Sequence, residues 1–68
     1  MTADIQMSII MHLKDIRQIY KGRALYYYRT AKYEKNCEIR KFAHDEGNFN
    51  RQNYRAVCRE IKLLQEGD

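Results

Sequence analysis

The stretch NRQNYRAVCREIKLL, residues 50–64, decides the fold class that we predict for this chain. Its apolar side chains are linked by steps of three and four residues, the spacing that aligns side chains along one side of an α-helix; they are Tyr54, Val57, Cys58, Ile61 and Leu64. Asn50 is a residue type that caps helix N-termini. We therefore predict a final helix that begins at Asn50 and leaves Leu63 off its inner stripe.

A second helix is predicted at the start of the chain, over residues 3–21, with Thr2 as its cap. The residues that support it are spaced as on a helix; they are Ile5, Ile9, Leu13, Ile16 and Tyr20, with Ile19 beside them. A strand is the alternative, because apolar residues also alternate between Ile5 and Leu13. Since apolar residues occupy more than one side, we expect self-association. The expected oligomer or partner interface consists of Ile5, Ile9, Ile10, Leu13 and Tyr27.

The middle of the chain contains two glycines, and each predicts a helix break. Gly22 would end the first helix, and Gly47 would end a short helix that begins at Glu38. Between them, residues 23–33 suit a helix or a strand, and we favour the helix because the sequence lacks an Asn-Gly or Asp-Gly hairpin turn. The fold class is therefore mainly α, a small helical bundle in one domain, residues 1–68. The alternative is α+β, with a β-hairpin over residues 23–42 that turns at residues 34–36.

Positive charge is concentrated in two blocks, although the net charge of the chain is only +4. Residues 14–41 hold nine Lys or Arg against three Asp or Glu, a net of +6, and residues 51–62 hold four against one, a net of +3. The other segments are acidic. Blocks of this kind favour a polyanionic partner.

The stretch FAHDEGNFNRQNYRAV, residues 42–57, resembles a helix-turn-helix DNA-binding unit, and with its flanks the resemblance covers residues 38–64. Ala43 would let two helices cross closely, Gly47 would turn the chain, and Phe49 would fill the angle between the helices. The turn has one residue more than the commonest spacing, Asn48. The resemblance implies a recognition helix over about residues 50–65, which would enter the major groove of DNA.

This resemblance also implies a set of nucleic-acid-binding residues. Side chains at the start of the recognition helix would reach base edges, and those further along or before the turn would meet phosphates; the set is Arg51, Gln52, Asn53, Arg55, Arg59, Lys62, Arg40 and Lys41. The favoured function is a small DNA-binding transcription regulator of the bacterial or phage type. As a homodimer it would address half-sites about one DNA turn apart.

Two other kinds of binding protein remain open at this point. The same helix-glycine-helix pattern describes an ordinary antiparallel hairpin, and such a protein could be an adaptor or inhibitor that docks on another protein through its apolar first helix and its tyrosine patch. The patch consists of Tyr26, Tyr27, Tyr28 and Tyr33. Tyrosines between cations could also stack on RNA or single-stranded bases.

Catalysis, metal binding and membrane insertion are not expected. The sequence contains no phosphate-binding loop or nucleophile motif, so we predict neither an enzyme nor a cofactor or small-molecule substrate. The spacings of His12, His44, Cys37 and Cys58 match no zinc module. We expect both cysteines to be reduced, one of them in the core. Without a signal peptide or an apolar stretch of about 20 residues, we expect a cytoplasmic protein.

Overall fold

Two long helices form the whole of the described structure, a computed structural model that describes residues 3–66. Helix α1 is Ala3–Tyr33, helix α2 is Cys37–Glu66, and residues 34–36 connect them into an antiparallel hairpin. The mainly α prediction is confirmed. The α+β alternative is wrong, because residues 23–33 and 37–42 are helical and residues 3–66 contain no strand. The cap predicted at Thr2 lies outside the described residues.

The breaks predicted at the two glycines are absent. Gly22 lies within α1 and Gly47 within α2, and neither has a positive φ. Consequently residues 38–64 form one continuous helix, and the turn expected around Gly47 and Asn48 does not exist. Asn50 is not a cap either: it is buried in the middle of α2, where its Nδ2 donates to the carbonyl oxygen of Glu46 at 2.8 Å.

The chain turns instead at residues 34–36, where side chains replace helical hydrogen bonds. Asn36 is the N-cap of α2, since its Oδ1 accepts from the backbone N–H of Glu38 at 2.9 Å and of Ile39 at 3.2 Å. The carboxylate of Glu34 accepts from the N–H of Asn36 at 3.1 Å. Such bonds satisfy donors that a helix start leaves without partners. This segment was the hairpin turn of the α+β alternative, and it joins two helices rather than two strands.

The two helices pack along a seam in which positions recur at alternating steps of three and four, as in a coiled coil. Its most buried members in α1 are Ile10, Ala24 and Ala31, and those in α2 are Ala43, Gly47, Asn50 and Ile61. The inner stripe predicted for the last helix is confirmed in part: Ile61 is buried, and Tyr54, Val57, Cys58 and Leu64 are half-buried. The stripe predicted for the first helix is confirmed in part: Leu13, Ile16 and Tyr20 are half-buried, but Ile5, Ile9 and Ile19 are exposed, and Ile10, predicted to lie off the stripe, is buried.

The core of this hairpin is thin. Among the described residues, the buried hydrophobic side chains are two isoleucines and three alanines, and no large side chain is fully buried. The expected core cysteine is not found, because Cys37 is exposed and Cys58 is half-buried. The Cα atoms extend over 51 × 14 × 11 Å, the shape of a rod. Within residues 3–66, neither helix combines the length and the apolarity that crossing a membrane requires.

Candidate nucleic-acid interface

One side of the hairpin is bordered by two rows of residues that recur every seven positions. The row on α1 runs Met7, Lys14, Lys21 and Tyr28, and the row on α2 runs Cys37, His44, Arg51, Cys58 and Gln65. Both ends of these rows line the same groove between the helices: Met7 with Gln65 near one end, and Tyr28 with Cys37 and His44 near the other. Since a heptad seam keeps positions seven apart on one side, Lys14, Lys21 and Arg51 lie along this groove too.

Basic residues dominate this side over its whole length. Three of them, Lys41, Arg55 and Lys62, form a further row of α2 beside Arg51, and Lys32 faces Lys41 across the groove near the connection. We call this set the basic face; it consists of Lys14, Lys21, Lys32, Lys41, Arg51, Arg55 and Lys62. The three rows contain no Asp or Glu, and Asp45 is the acidic residue that borders the groove. The positive field of the chain is therefore concentrated on one side of the rod.

Contacts with α2 hold Tyr28 in place in this groove, near the connection between the helices. Its hydroxyl donates to Oδ1 of Asn48 at 2.6 Å, and its ring meets that of His44 edge to face at a centroid distance of 5.8 Å. The ring also covers the backbone of Gly47, where a Cβ atom would approach it to 2.8 Å. The close approach of the helices at Gly47 thus places an aromatic side chain in the groove that Lys32 and Lys41 also line.

The residues predicted to bind nucleic acid do not all lie together. Arg51, Arg55, Lys62 and Lys41 belong to the basic face, as described above. Gln52 and Arg59 are exposed one helical row further round α2. Asn53 is elsewhere, because it lines the groove on the opposite side of the hairpin. Exposed Arg40 lines the basic groove with Lys32 and Lys41 near the connection, where it also donates to Sγ of Cys37 at 3.3 Å.

Sequence reasoning missed the contribution of α1 to this site. Lys14 and Lys21 were counted in a charge block but were not assigned to a surface. The signal was available, because they are seven residues apart and a helix in a heptad seam holds such positions on one side. The predicted break at Gly22 hid this relation, since it separated Lys21 from Tyr28.

The opposite side of the hairpin carries most of the exposed large hydrophobic residues of the described chain, although the groove between the helices there is largely polar. Arg23 and Tyr27 of α1 line a groove there with Glu46, Phe49 and Asn53 of α2. Apolar positions recur along both walls of this groove at steps of three, four or seven. We call them the apolar face; it consists of Ile5, Ile9, Ile16, Ile19, Tyr26 and Tyr33 on α1 and Ile39, Phe42, Phe49, Ala56 and Leu63 on α2.

The residues predicted as an interface divide between this face and the seam. Ile5 and Ile9 belong to the apolar face and are 53% and 36% exposed. Ile10 is buried in the seam, and Leu13 and Tyr27 are half-buried. Ile10 is 6% exposed because it packs against α2, so it belongs mainly to the seam and not to the apolar face.

The consecutive tyrosines point in different directions, as helical geometry requires. Tyr26 is exposed on the apolar face, Tyr27 lines the groove on that side, and Tyr28 lies in the basic groove. Tyr33 is exposed, with Nζ of Lys32 5.6 Å from its ring centroid. The rings of Tyr26 and Tyr27 meet edge to face at a centroid distance of 5.4 Å. Three members of the expected tyrosine patch, Tyr26, Tyr27 and Tyr33, therefore lie on the side of the apolar face, and Tyr28 lies apart from them.

Comparison of the chain with known proteins yields no match among family models, curated proteins or solved structures. A metal centre is not apparent either, because residues 3–66 contain no group of three or more His, Cys, Asp or Glu side chains placed to hold an ion. What the chain binds must therefore be argued from its two faces.

Proposed function

We propose that this protein binds double-stranded DNA through the basic face, chiefly by contacts between its Lys and Arg side chains and the phosphates. The observation that carries the proposal is the segregation of charge: Lys32 and Lys41 line one groove, heptad spacing puts five more basic residues on the same side, and the rows that hold Lys14, Arg51 and Arg55 contain no acid. If the 13 basic and 9 acidic residues were distributed at random over the surface, each side of the hairpin would carry both positive and negative charges. A linear array of cations is the electrostatic complement of a linear polyanion.

The shape of the array favours a duplex over a compact anion. The rod is 51 Å long, which matches about 15 base pairs at a rise of about 3.4 Å each. Over that length a duplex presents phosphates on both strands, about one per 1.7 Å of axis. Side chains on both helices can therefore contact phosphates at the same time.

The mode of binding that we propose differs from insertion of a recognition helix. In a helix-turn-helix protein, base edges are reached from the N-terminal residues of that helix. Asn50 and Arg51 occupy the middle of α2, with α1 packed alongside, so this N-terminus does not exist. We therefore expect affinity that depends strongly on salt and weakly on sequence.

Fluorescence anisotropy with a labelled duplex of about 20 base pairs, titrated at several salt concentrations, tests the proposal. If all seven cations contact phosphates, the logarithm of the binding constant should fall against that of the salt concentration with a slope of about −6, and each lost contact should reduce the slope by about 0.9. Arg55→Ala should produce this reduction. No binding at low salt would refute the proposal.

Arg29→Ala is the matched control, because Arg29 is exposed on α1 but lies outside the basic face. It removes the same charge as Arg55→Ala, so a dependence on net charge alone would lower affinity equally in both variants. We expect the slope to change only for Arg55→Ala. A single strand of the same length provides the second comparison, and a clear preference for it would contradict the assignment to duplex DNA.

A further inference from the structure

The exposed apolar area of the apolar face is larger than the apolar patches that monomeric proteins usually expose to solvent. Nine large side chains on it are at least 36% exposed, from Ile9 at 36% to Tyr33 at 72%. Taking about 200 Å² for each such side chain when fully exposed, they present on the order of 1,000 Å². The largest apolar patch of a typical monomer is about 300–600 Å², and a standard interface covers about 800 Å² on each partner.

The remaining exposed apolar residues show that this is a segregated surface. Only Met7, Met11 and Leu25 among the large hydrophobic residues of the described chain are exposed elsewhere. The interior is correspondingly poor, with two isoleucines as its large buried side chains. Each contributes about 1.5–3 kcal/mol, which is little against the cost of ordering two long helices. The side chains that would complete a core lie on the apolar face.

We propose that the occupant of the apolar face is a second copy of this chain, and that the pair forms a four-helix bundle. The face has the geometry this requires: together with the polar positions 46 and 53, its positions on α2 recur at steps of three and four, as 39, 42, 46, 49, 53 and 56 do. That spacing is the one that packs into a neighbouring helix of a bundle. Because both walls of the groove belong to one chain, a two-fold axis would bring the same surface of each copy together, with each wall facing a wall of the other copy.

Charge on the apolar face selects how the two copies pair. Arg23 of α1 and Glu46 of α2 line its groove at the same height along the rod. If the two-fold axis runs along the rod, α1 lies over α2 of the second copy, and each Arg23 meets the opposite charge of Glu46 in that copy. If the axis runs across the rod, each helix lies antiparallel to its own copy, so Glu46 faces α2 of the second copy and does not meet Arg23. Opposite charges paired across an interface fix its arrangement, so we assign the first arrangement.

Sedimentation equilibrium of the full chain over a range of concentrations tests the dimer. We expect a dimer for the wild-type chain and, for Phe49→Glu, a dissociation constant at least about a hundredfold higher, because the dimer buries two copies of the changed residue. Leu25→Glu is the matched control: Leu25 is 54% exposed and Phe49 58%, but Leu25 lies off the apolar face. A monomeric wild type, or equal weakening by both variants, would overturn the proposal.

Charge exchange tests the pairing. Arg23→Glu and Glu46→Arg should each raise the dissociation constant about tenfold, because each opposes like charges. The double variant should return it to near the wild-type value. If the double variant is no tighter than the single ones, the assigned arrangement is wrong. Circular dichroism of each variant at high concentration separates loss of association from loss of helix, and a soluble helical monomer that takes up only other proteins would also overturn the dimer.

Discussion

The contact between Gly47 and Tyr28 makes a sharp prediction about stability, since it reverses the usual effect of replacing a helical glycine. In Gly47→Ala the new Cβ would lie 2.8 Å from Cδ1 and Cε1 of Tyr28 and 3.3 Å from Cγ. The ring must then move, which strains its hydrogen bond to Asn48. Overpacking of this kind costs about 1–3 kcal/mol, whereas alanine in a helix interior gains about 1 kcal/mol over glycine. We expect the free energy of unfolding to fall by about 0–2 kcal/mol.

Gly22→Ala is the matched control, because a Cβ on residue 22 would meet nothing within 4 Å. It should raise the free energy of unfolding by about 1 kcal/mol, the helix propensity difference alone. Thermal unfolding followed by far-ultraviolet circular dichroism measures both variants. A change of 1 kcal/mol shifts the midpoint by about 4–8 °C in a domain of this size, and protein concentration must be held fixed because association also raises the midpoint.

If Gly47→Ala stabilises the protein as much as Gly22→Ala does, the close approach of α2 to Tyr28 is wrong. If Gly22→Ala is destabilising instead, α1 does not continue through Gly22. In a Tyr28→Ala background the obstacle is gone, so adding Gly47→Ala should become stabilising by about 1 kcal/mol, and this reversal isolates the coupling between the two residues.

Two further predictions concern side-chain hydrogen bonds. Asn36→Ala should lower the free energy of unfolding by about 1 kcal/mol through loss of the α2 cap, whereas Asn36→Asp should retain most of it; equal losses in urea unfolding would contradict the cap. Tyr28→Phe removes the 2.6 Å bond to Asn48 and should cost about 0.5–1.5 kcal/mol. Thermal unfolding measures that change, and an unaltered midpoint would show that water replaces the bond.

The helical character of the chain could be read from local spacing, but the lengths of the helices could not. Steps of three and four between Tyr54 and Leu64 indicate a helix whatever surrounds it. A glycine inside such a pattern is ambiguous, because it can end a helix or provide room for a neighbour. At Gly47 the neighbour is Tyr28, 19 residues away in sequence, so only the folded hairpin distinguishes the two roles.

The local sequence pattern also does not predict which side of α1 packs against α2. One stripe through Ile5, Ile9, Ile16 and Ile19 is the more hydrophobic, whereas the stripe through Ile10 and Ala24 is the one buried. Small residues explain the choice: Ala24 and Ala31 of α1 are buried together with Ala43 and Gly47 of α2, and small side chains let two helices approach closely. The choice of the buried side depends on the residues of both helices, so the sequence of one helix alone does not predict it.

The sequence predicts the part of the candidate site that lies on α2, but not the part that lies on α1. The cations of α2 stand out because Arg51, Arg55 and Lys62 are close in sequence and share a helix face. Lys14 and Lys21 join them only because the chain reverses at residues 34–36. The sequence thus indicates a partner of negative charge, and the hairpin adds the second helix that widens the surface.

The opposition of the two faces has a consequence for what an assembled protein would do with DNA. A pair of hairpins joined through their apolar faces turns its two basic faces outward, in opposite directions. Such a particle cannot lay both faces on adjacent half-sites of one operator. It would instead bridge two duplexes, or two distant segments of one molecule, and draw them side by side. Light scattering should then rise as the protein cross-links long DNA and fall again when excess protein coats each duplex separately.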